Sequence, residues 1–278
     1  MGVKIVTDSG SDLPADIARE LEITVVPVYI YFGEEAYRDG VDISPDELYK
    51  RLVEGPVHPT TTQPVPVDFT DAYKELSKDA DAIVSIHLPA PLSGTYNSAL
   101  QGKEMAEVKC PIEVVDSFSI SMGLGLVAMA AARVAEAGGS LSEVMEETRK
   151  AIDQVEIRGL LDTLTYLLKG GRITKAKATV GSLLNIKPIL KTVNGELIQA
   201  ARARSFSKGM DMLFEFTKDT PGLQEVAIVH STVPEEANLL KERLGSIIDE
   251  KRIHMARLGA GLGVHGGPGT LLVAVRKS

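Results

Sequence analysis

Three short stretches of this chain carry side chains suited to hydrogen-bonding a small anion. Toward the C-terminal end it reads Gly259-Ala-Gly261-Leu-Gly263-Val-His265-Gly266-Gly267-Pro268-Gly269, six glycines in eleven residues around one histidine. Glycine weakens helices and strands, so a cluster this dense marks backbone that turns tightly or lets something approach closely. Upstream, Pro59-Thr60-Thr61-Thr62-Gln63-Pro64 is a hydroxyl-rich loop, and Leu92-Ser93-Gly94-Thr95-Tyr96 is a hydroxyl turn opening a helix. Neutral donors and one imidazole suit a site that holds an anion rather than one that attacks it. Each residue also has a plainer reading. His265 fits a core histidine bonded to a carbonyl, Ser93 a helix N-cap, and Thr61 with Thr62 an extended loop. For Ser93, Gly94 and Thr95 the two readings coexist, because a capped helix N-terminus is itself an anion site.

Other chemistries are poorly supplied. Gly261-x-Gly263-x-x-Gly266 matches the dinucleotide fingerprint in letters only. That motif opens a helix within a βαβ unit and is followed by an acidic residue about 20 positions on, whereas here Pro268-Gly269 interrupts and the chain ends at Ser278. No phosphate-binding loop of the Gly-x4-Gly-Lys-Ser/Thr type occurs. Ser93, Asp116 and His265 follow the chain order of an α/β-hydrolase triad, yet Ser93 sits in Pro91-Leu-Ser-Gly-Thr95 and not in a Gly-x-Ser-x-Gly elbow. An esterase or acyltransferase using Ser93 and His265 is therefore the alternative to a binding protein. The five histidines are scattered without helical pairing, so no metal and no cofactor are expected. The single Cys110 excludes an intramolecular disulfide and reads as a bland thiol. A net charge of −8 and 5% aromatics, with no Trp, argue against nucleic acid as a partner, which needs a basic face and stacking surfaces. The N-terminus begins as a strand rather than a signal peptide, and the longest uncharged stretch, residues 117–132, falls short of the roughly 20 needed to cross a bilayer. A soluble, cytoplasmic protein is expected.

The elements that must position these residues fall into two halves. Val3–Thr7, Thr24–Phe32, Ala82–Ile86 and Ile112–Val115 read as strands. Pro14–Leu21, Pro45–Val53, Val67–Leu76, Thr95–Glu107, Phe118–Ala137 and Ser140–Val155 read as helices. This alternation predicts an α/β domain over residues 1–154, a largely parallel sheet with flanking helices. Thr7-Asp8-Ser9 and Val115-Asp116-Ser117 recur after its first and fourth strands. They lie at the carboxyl ends where ligand crevices form, or simply cap the next helices. Residues 155–278 read differently: a helix at Ile157–Leu168, another at Ala176–Leu184, and strands Lys187–Thr192 and Glu196–Ala201 joined at Asn194-Gly195, a strong hairpin signal. Helices at Phe206–Thr217 and Glu235–Leu244, with strands at Val226–His230, His254–Leu258 and Thr270–Val275, complete an α+β domain with a mixed sheet.

Taken together, Thr7-Asp8-Ser9 with Asp12-Leu13-Pro14, Pro59-x-Thr61-Thr62-Gln63-Pro64, Leu92-Ser93-Gly94-Thr95-Tyr96, Val115-Asp116-Ser117, Leu164-x-Tyr166-Leu167-x-Lys169-Gly170-Gly171-Arg172-Ile173, Leu184-Asn185-Ile186-Lys187-Pro188-Ile189 and His265-x-Gly267-Pro268-Gly269 resemble the DegV family of bacterial fatty-acid-binding proteins. The resemblance spans nearly the whole chain. It departs at Thr62, where Ser is usual, and at His87-Leu-Pro-Ala-Pro91, which replaces a more hydroxyl-rich stretch. It implies two α/β domains and a buried long-chain fatty acid, its carboxylate held by Thr61, Ser93 and His265, with Thr62, Gly94, Thr95 and Gly266 beside them. It also implies a separate dihydroxyacetone-kinase-like fatty acid kinase as partner, acyl phosphate formation feeding phospholipid synthesis, and no more than transient membrane contact. Arg172, Arg202 and Arg204 are the basic candidates for docking that kinase. The small residues Gly123, Gly125, Ala128, Ala131 and Ala132 are candidates for leaving room for a tail.

Overall fold

Residues 2–173 and 186–278 are described by the computed structural model. Strand β1 (Val3–Asp8) is followed by a short 3-10 turn at Ser9–Ser11, helix α1 (Ala15–Glu20) and strand β2 (Ile23–Val26). With β6 (Ala82–His87) and β7 (Ile112–Asp116) these strands form a four-stranded sheet in the order β2-β1-β6-β7, parallel throughout. Every residue of β6 is buried, as expected for a strand covered on both faces. Its connecting helices are α3 (Pro66–Leu76) and α4 (Thr95–Ala106), which pack on each other.

The expected strand at Thr24–Phe32 is two strands in two sheets. Pro27 supplies no N–H, so the ladder stops there, and the next amide, Val28 N–H, donates instead to Ser9 Oγ at 3.0 Å. Beyond it, β3 (Tyr29–Phe32) pairs antiparallel with β4 (Glu35–Arg38) and with β5 (Thr60–Thr62). This small sheet was not foreseen. Helix α2 (Pro45–Glu54) lies between β4 and β5 in sequence, its first turn capped by Ser44 and opened by Pro45.

The second half contributes a six-stranded mixed sheet in the order β10-β9-β8-β13-β11-β12. It comprises β8 (Val155–Leu160), β9 (Lys187–Val193), β10 (Glu196–Ala203), β11 (Leu223–His230), β12 (Ile253–Arg257) and β13 (Leu271–Lys277). Only β11 and β12 run parallel. Asn194 and Gly195 have φ of 50° and 75°, the doubly left-handed turn that Asn-Gly favours between β9 and β10. The helix expected at Ile157–Leu168 is instead β8 followed by the short α7 (Thr165–Lys169). A β carbon on Gly159 would lie 2.5 Å from the Leu272 side chain on the neighbouring strand, so close strand packing decided this segment. The helix expected at Ala176–Leu184 lies outside the described residues. Helices α8 (Phe206–Lys218) and α9 (Pro234–Leu244) share a core with the strands beneath them, through Leu213, Leu240, Val226 and Val273.

Between the parallel and mixed sheets runs α5 (Ser121–Glu136), followed by α6 (Leu141–Gln154), which opens with a Ser140–Glu143 capping box. Helix α5 touches β1 and β6 on one side and β8, β11 and β13 on the other. Apolar all round from Met122 to Ala132, it is buried up to its last turn, and one continuous core joins Ile5 and Ile86 to Ala227 and Leu272 through it.

Candidate functional site

The glycine-rich stretch expected to turn forms a seven-residue helix, α10 (Ala260–Gly266), between β12 and β13. Its glycines serve close approach. A β carbon at Gly261 would meet Val28 at 2.4 Å, and one at Gly263 would meet Leu48 and the Tyr49 hydroxyl at 2.7 Å. The chain then leaves the helix through Gly267, φ 75°, where only glycine avoids the Tyr166 ring. His265 stands near the end of this helix. Its Nε2 lies 2.8 Å from Thr61 Oγ1, which β5 delivers from the small antiparallel sheet. Its Nδ1 is buried and has no hydrogen-bond partner among the described residues. Gly170, just past α7, closes over that nitrogen; a β carbon there would fall 2.0 Å away. Burial, reinforced by the positive charge of Arg172 and by His58, pushes His265 down to about 4, so the ring is neutral at physiological pH.

Ser93 arrives from the loop after β6. Its Oγ lies 2.7 Å from Thr95 Oγ1 and accepts from the Thr95 amide at 3.3 Å, at the mouth of α4. Two aspartates, Asp8 buried and Asp116 half-buried, stitch such loops in place. Asp8 accepts from the amides of Gly10 and Leu88 and from His87 Nδ1, each at 3.0 Å, while Asp116 accepts from the amides of Ala90 and Phe118. Neither Asp of the two Asp-Ser repeats lines the cavity: Asp8, fully buried, caps the 3-10 turn at Ser9–Ser11 and holds the loop that leads to Ser93, while Asp116 caps no helix and braces the same loop through Ala90.

These residues open onto one cavity, about 1000 Å³ of space with its mouth included. Thr61, Thr62, Ser93, His265, Gly266 and Arg172 line it. The remaining wall is mostly aliphatic: Leu88 and Leu92 from the parallel-sheet side, Ile157, Leu161, Leu190, Leu197 and Leu272 from the mixed sheet, and Leu262 from α10. The cavity thus lies where the carboxyl end of β6 faces the mixed sheet, the position open α/β sheets favour for ligands. Gly94 and Thr95 do not line it. Thr95 is fully buried beneath Ser93, and Gly94 leaves room for the Gln63 side chain, 2.9 Å from where a β carbon would stand. Arg172, a docking candidate by sequence, is partly buried in the cavity wall, beside Thr61, Ser93 and His265. Its Nη1 donates to Gly170 O at 2.7 Å and its Nε to Leu92 O at 3.4 Å. Arg202 and Arg204 are exposed on and just past β10 and do not line the cavity. Gly123, Gly125, Ala128, Ala131 and Ala132 do not leave room for a tail: they are buried within α5, where small residues let two sheets close on one helix.

The Ser93–Asp116–His265 order does not assemble into a triad. His265 is bonded to Thr61, Ser93 to Thr95, and Asp116 to backbone amides. Burial pushes the Cys110 thiol up, away from reactive thiolate character. Among the described residues no three acidic, histidine or cysteine side chains are grouped to hold a metal, and no helix is long and apolar enough to cross a membrane.

Sequence reasoning missed the anchor of α10. Asp39, in the turn after β4, accepts from the amides of Ala260 and Gly261 at 2.9 and 3.0 Å. Asp12 accepts from the Gly259 amide at 2.8 Å and from Ser121 Oγ at 2.5 Å. The Tyr49 hydroxyl donates to Leu258 O, and Thr270 Oγ1 to Gly266 O. Asp12 lies in the Asp12-Leu13-Pro14 motif, but nothing local links Asp39 to a helix more than two hundred residues away.

A family model described as "Uncharacterised protein, DegV family" matches residues 2–278. A DegV domain-containing protein of Streptomyces coelicolor is 38% identical over 278 residues, covering 98% of each chain. Another, from Caldanaerobacter subterraneus subsp. tengcongensis, is 36% identical over 270 residues, 96% of this chain and 95% of the relative. Among solved structures, a DegV family protein from Thermus thermophilus described for its fatty acid binding superposes with a TM-score of 0.92 at 32% identity, covering all of both chains. DegV from Bacillus subtilis, described as a fatty acid binding protein, superposes with a TM-score of 0.87 at 28% identity, again over both whole chains. With the family model, the relatives and the superposed folds all matching over nearly the whole chain, this chain belongs to the DegV family.

Proposed function

We propose that this protein binds a long-chain fatty acid and presents its carboxylate to a separate fatty acid kinase of the dihydroxyacetone-kinase type. The observation that carries the reading is the make-up of the cavity. Leucine and isoleucine side chains from several elements form most of its wall, and the hydroxyls of Thr61 and Ser93 and the neutral imidazole of His265 meet on it. An acyl tail supplies apolar surface to match the wall, at about 25 cal/mol per Å² removed from water. A carboxylate supplies the acceptor that the Thr61 and Ser93 hydroxyls need, with the neutral imidazole bonded to Thr61 beside them. In this assignment Thr62 and Gly266 line the headgroup, and Gly94 and Thr95 hold Ser93. Arg172, with two of its donors already on carbonyls, keeps the rim positive without forming a full ion pair. Neutral donors leave the carboxylate oxygen nucleophilic, which transfer of a phosphoryl group from ATP requires; a bidentate arginine would blunt it. The solved relatives described as fatty acid binding, one of them with stearic acid, support the tail assignment. The protein itself would act as carrier, with catalysis on the kinase, inside the cytoplasm.

Mass spectrometry of an organic extract from the gently purified protein tests the binding step. Roughly one fatty acid per chain is expected, and no stoichiometric fatty acid would sink it. Adding a kinase of that type with ATP tests the presentation step: acyl phosphate should form only when both proteins are present. No observation favours the esterase alternative, and fluorophosphonate labelling of Ser93 is the result that would revive it.

A further inference from the structure

Three buried carboxylates, Asp8, Asp12 and Asp39, gather beneath the N-terminal end of α10, and the last two end on its backbone. The helix they hold is a poor one by sequence: seven residues, Gly261, Gly263 and Gly266 among them, with no side-chain cap of its own. Left to local preference it would not hold one conformation. His265 nevertheless sits near its end, meeting Thr61 of a different sheet at hydrogen-bond distance and fitting beneath Gly170 with almost no clearance. The ring's place therefore depends on what fixes the helix from outside. Asp39 does this most directly, because one carboxylate takes two successive amides, Ala260 and Gly261, and so sets both the start and the direction of the helix. Asp39 is itself fixed, its own amide donating to Val28 O at 2.9 Å.

We propose that Asp39 is a positioning residue for headgroup recognition: it acts through α10 to place the His265 imidazole against Thr61, without touching the ligand itself. Asp12, on Gly259, is the second clamp of the same device. The inference rests on the function proposed above. It adds that carboxylate recognition is controlled from Asp39, which is absent from the lining of the cavity.

The test compares wild type, Asp39→Ala and Asp39→Asn by two measurements, with His265→Ala as reference. The first is the ratio of affinities for palmitate and its methyl ester, read by displacement of a bound fluorescent probe. The second is the set of His265 ring resonances in histidine-labelled, lipid-stripped protein at fixed pH. In Asp39→Ala the acid-to-ester preference should fall about tenfold, close to that of His265→Ala, with ester affinity unchanged and the ring resonances moved. Asp39→Asn, which keeps one carbonyl acceptor, should lie between; it also carries the test alone if the alanine variant fails to fold. The double variant Asp39→Ala, His265→Ala should lose no more preference than His265→Ala. Wild-type resonances and wild-type preference in the folded Asp39 variants would overturn the proposal. A wild-type protein that does not distinguish acid from ester would instead remove the carboxylate reading of the site, and the His265 resonances would then decide the role of Asp39 by themselves.

Discussion

At the scale of single residues the tail and the headgroup do unequal work. A chain of about 16 carbons buries its tail carbons at ~0.8 kcal/mol each, roughly 12 kcal/mol before the costs of binding, whereas one hydrogen bond to a carboxylate contributes about 1–3 kcal/mol. His265→Ala and Ser93→Ala proteins should therefore still purify with bound fatty acid but support kinase-dependent acyl phosphate formation at least tenfold more slowly. Lipid content by mass spectrometry and turnover in a coupled assay check the two halves separately, and complete loss of lipid from a folded Ser93→Ala protein would contradict the ranking. Gly170 gives a second expectation. An added methyl would lie 2.0 Å from His265 Nδ1, and the contact is with a ring already bonded on its other side to Thr61. Gly170→Ala should thus reproduce the His265→Ala turnover defect although it leaves the imidazole in the protein; normal turnover would show that the ring yields freely.

Secondary-structure elements carry the next level. Two internal glycines, Gly261 and Gly263, cost α10 about 2 kcal/mol relative to alanine, and caps of the Asp39 and Asp12 kind return about 1–2 kcal/mol each, so the helix exists by virtue of its anchors. Asp12 makes this pH-dependent. Burial raises its carboxyl from the ordinary 3.8 to about 8, against the lowering effect of the bonds from Ser121 and Gly259. A raised acid favours the fold while protonated. That contribution is complete below pH 3.8 and is lost as pH rises through about 8. Asn at this position keeps an acceptor for Gly259, carries no charge and tolerates the left-handed φ of 50°. Asp12→Asn should therefore gain on wild type by at least about 1 kcal/mol between pH 6 and pH 9. Calorimetric melts at the two values check it, and a pH-independent difference would refute the titration. Elements with strong local signals, such as β1, α2, α6 and the Asn194-Gly195 hairpin, were legible from periodicity, caps and turn residues. Strand β8 and the small β3–β4–β5 sheet were not, because their partners lie far away in sequence and a short apolar run does not name its pairing.

Over the whole molecule, the two halves are joined by the α5 core and by one partly buried charge cluster. Glu225 on β11 receives Arg133 from α5 at 2.7 Å, His254 from β12 at 3.3 Å and Arg276 from β13 at 3.8 Å. Burial by itself would raise the Glu225 carboxyl, but the bonds from His254 and Arg133 outweigh it and hold it at about 2. A depressed acid stabilises above its ordinary 4.5 and loses that contribution as pH falls through about 2. Because Arg133 is 41% exposed, the loss lies between that of a surface pair and a fully buried one. Glu225→Gln should cost about 2 kcal/mol at pH 7, by urea unfolding, and markedly less at pH 3; an equal cost at both would contradict this assignment. Arg202 and Arg204 belong to the same scale, as exposed charges beside the hairpin that lines the cavity. The Arg202→Ala, Arg204→Ala double variant should keep its melting temperature and its lipid, yet slow kinase-dependent turnover several-fold at low salt. The defect should shrink as salt screens the encounter, and unchanged kinetics would take this surface out of the docking model.

By itself the amino-acid sequence determined the family, the parallel and mixed sheets and most helices, because those rest on local periodicity, turn chemistry and ordered motifs. It also picked out Thr61, Ser93 and His265, because hydroxyls and an imidazole among glycines are unusual without a ligand to serve. Only the tertiary structure decided how they meet: His265 on a helix rather than a loop, Thr61 on an unforeseen sheet, and Arg172 in the wall of the same cavity. It alone placed the aliphatic wall on the mixed sheet and the small residues of α5 in the packed core. The physical reason is the same in each case. Hydrogen bonds such as Asp39 to α10 and the burial that holds His265 neutral join residues with no local pattern in common, and they come into being only when the chain has closed around them.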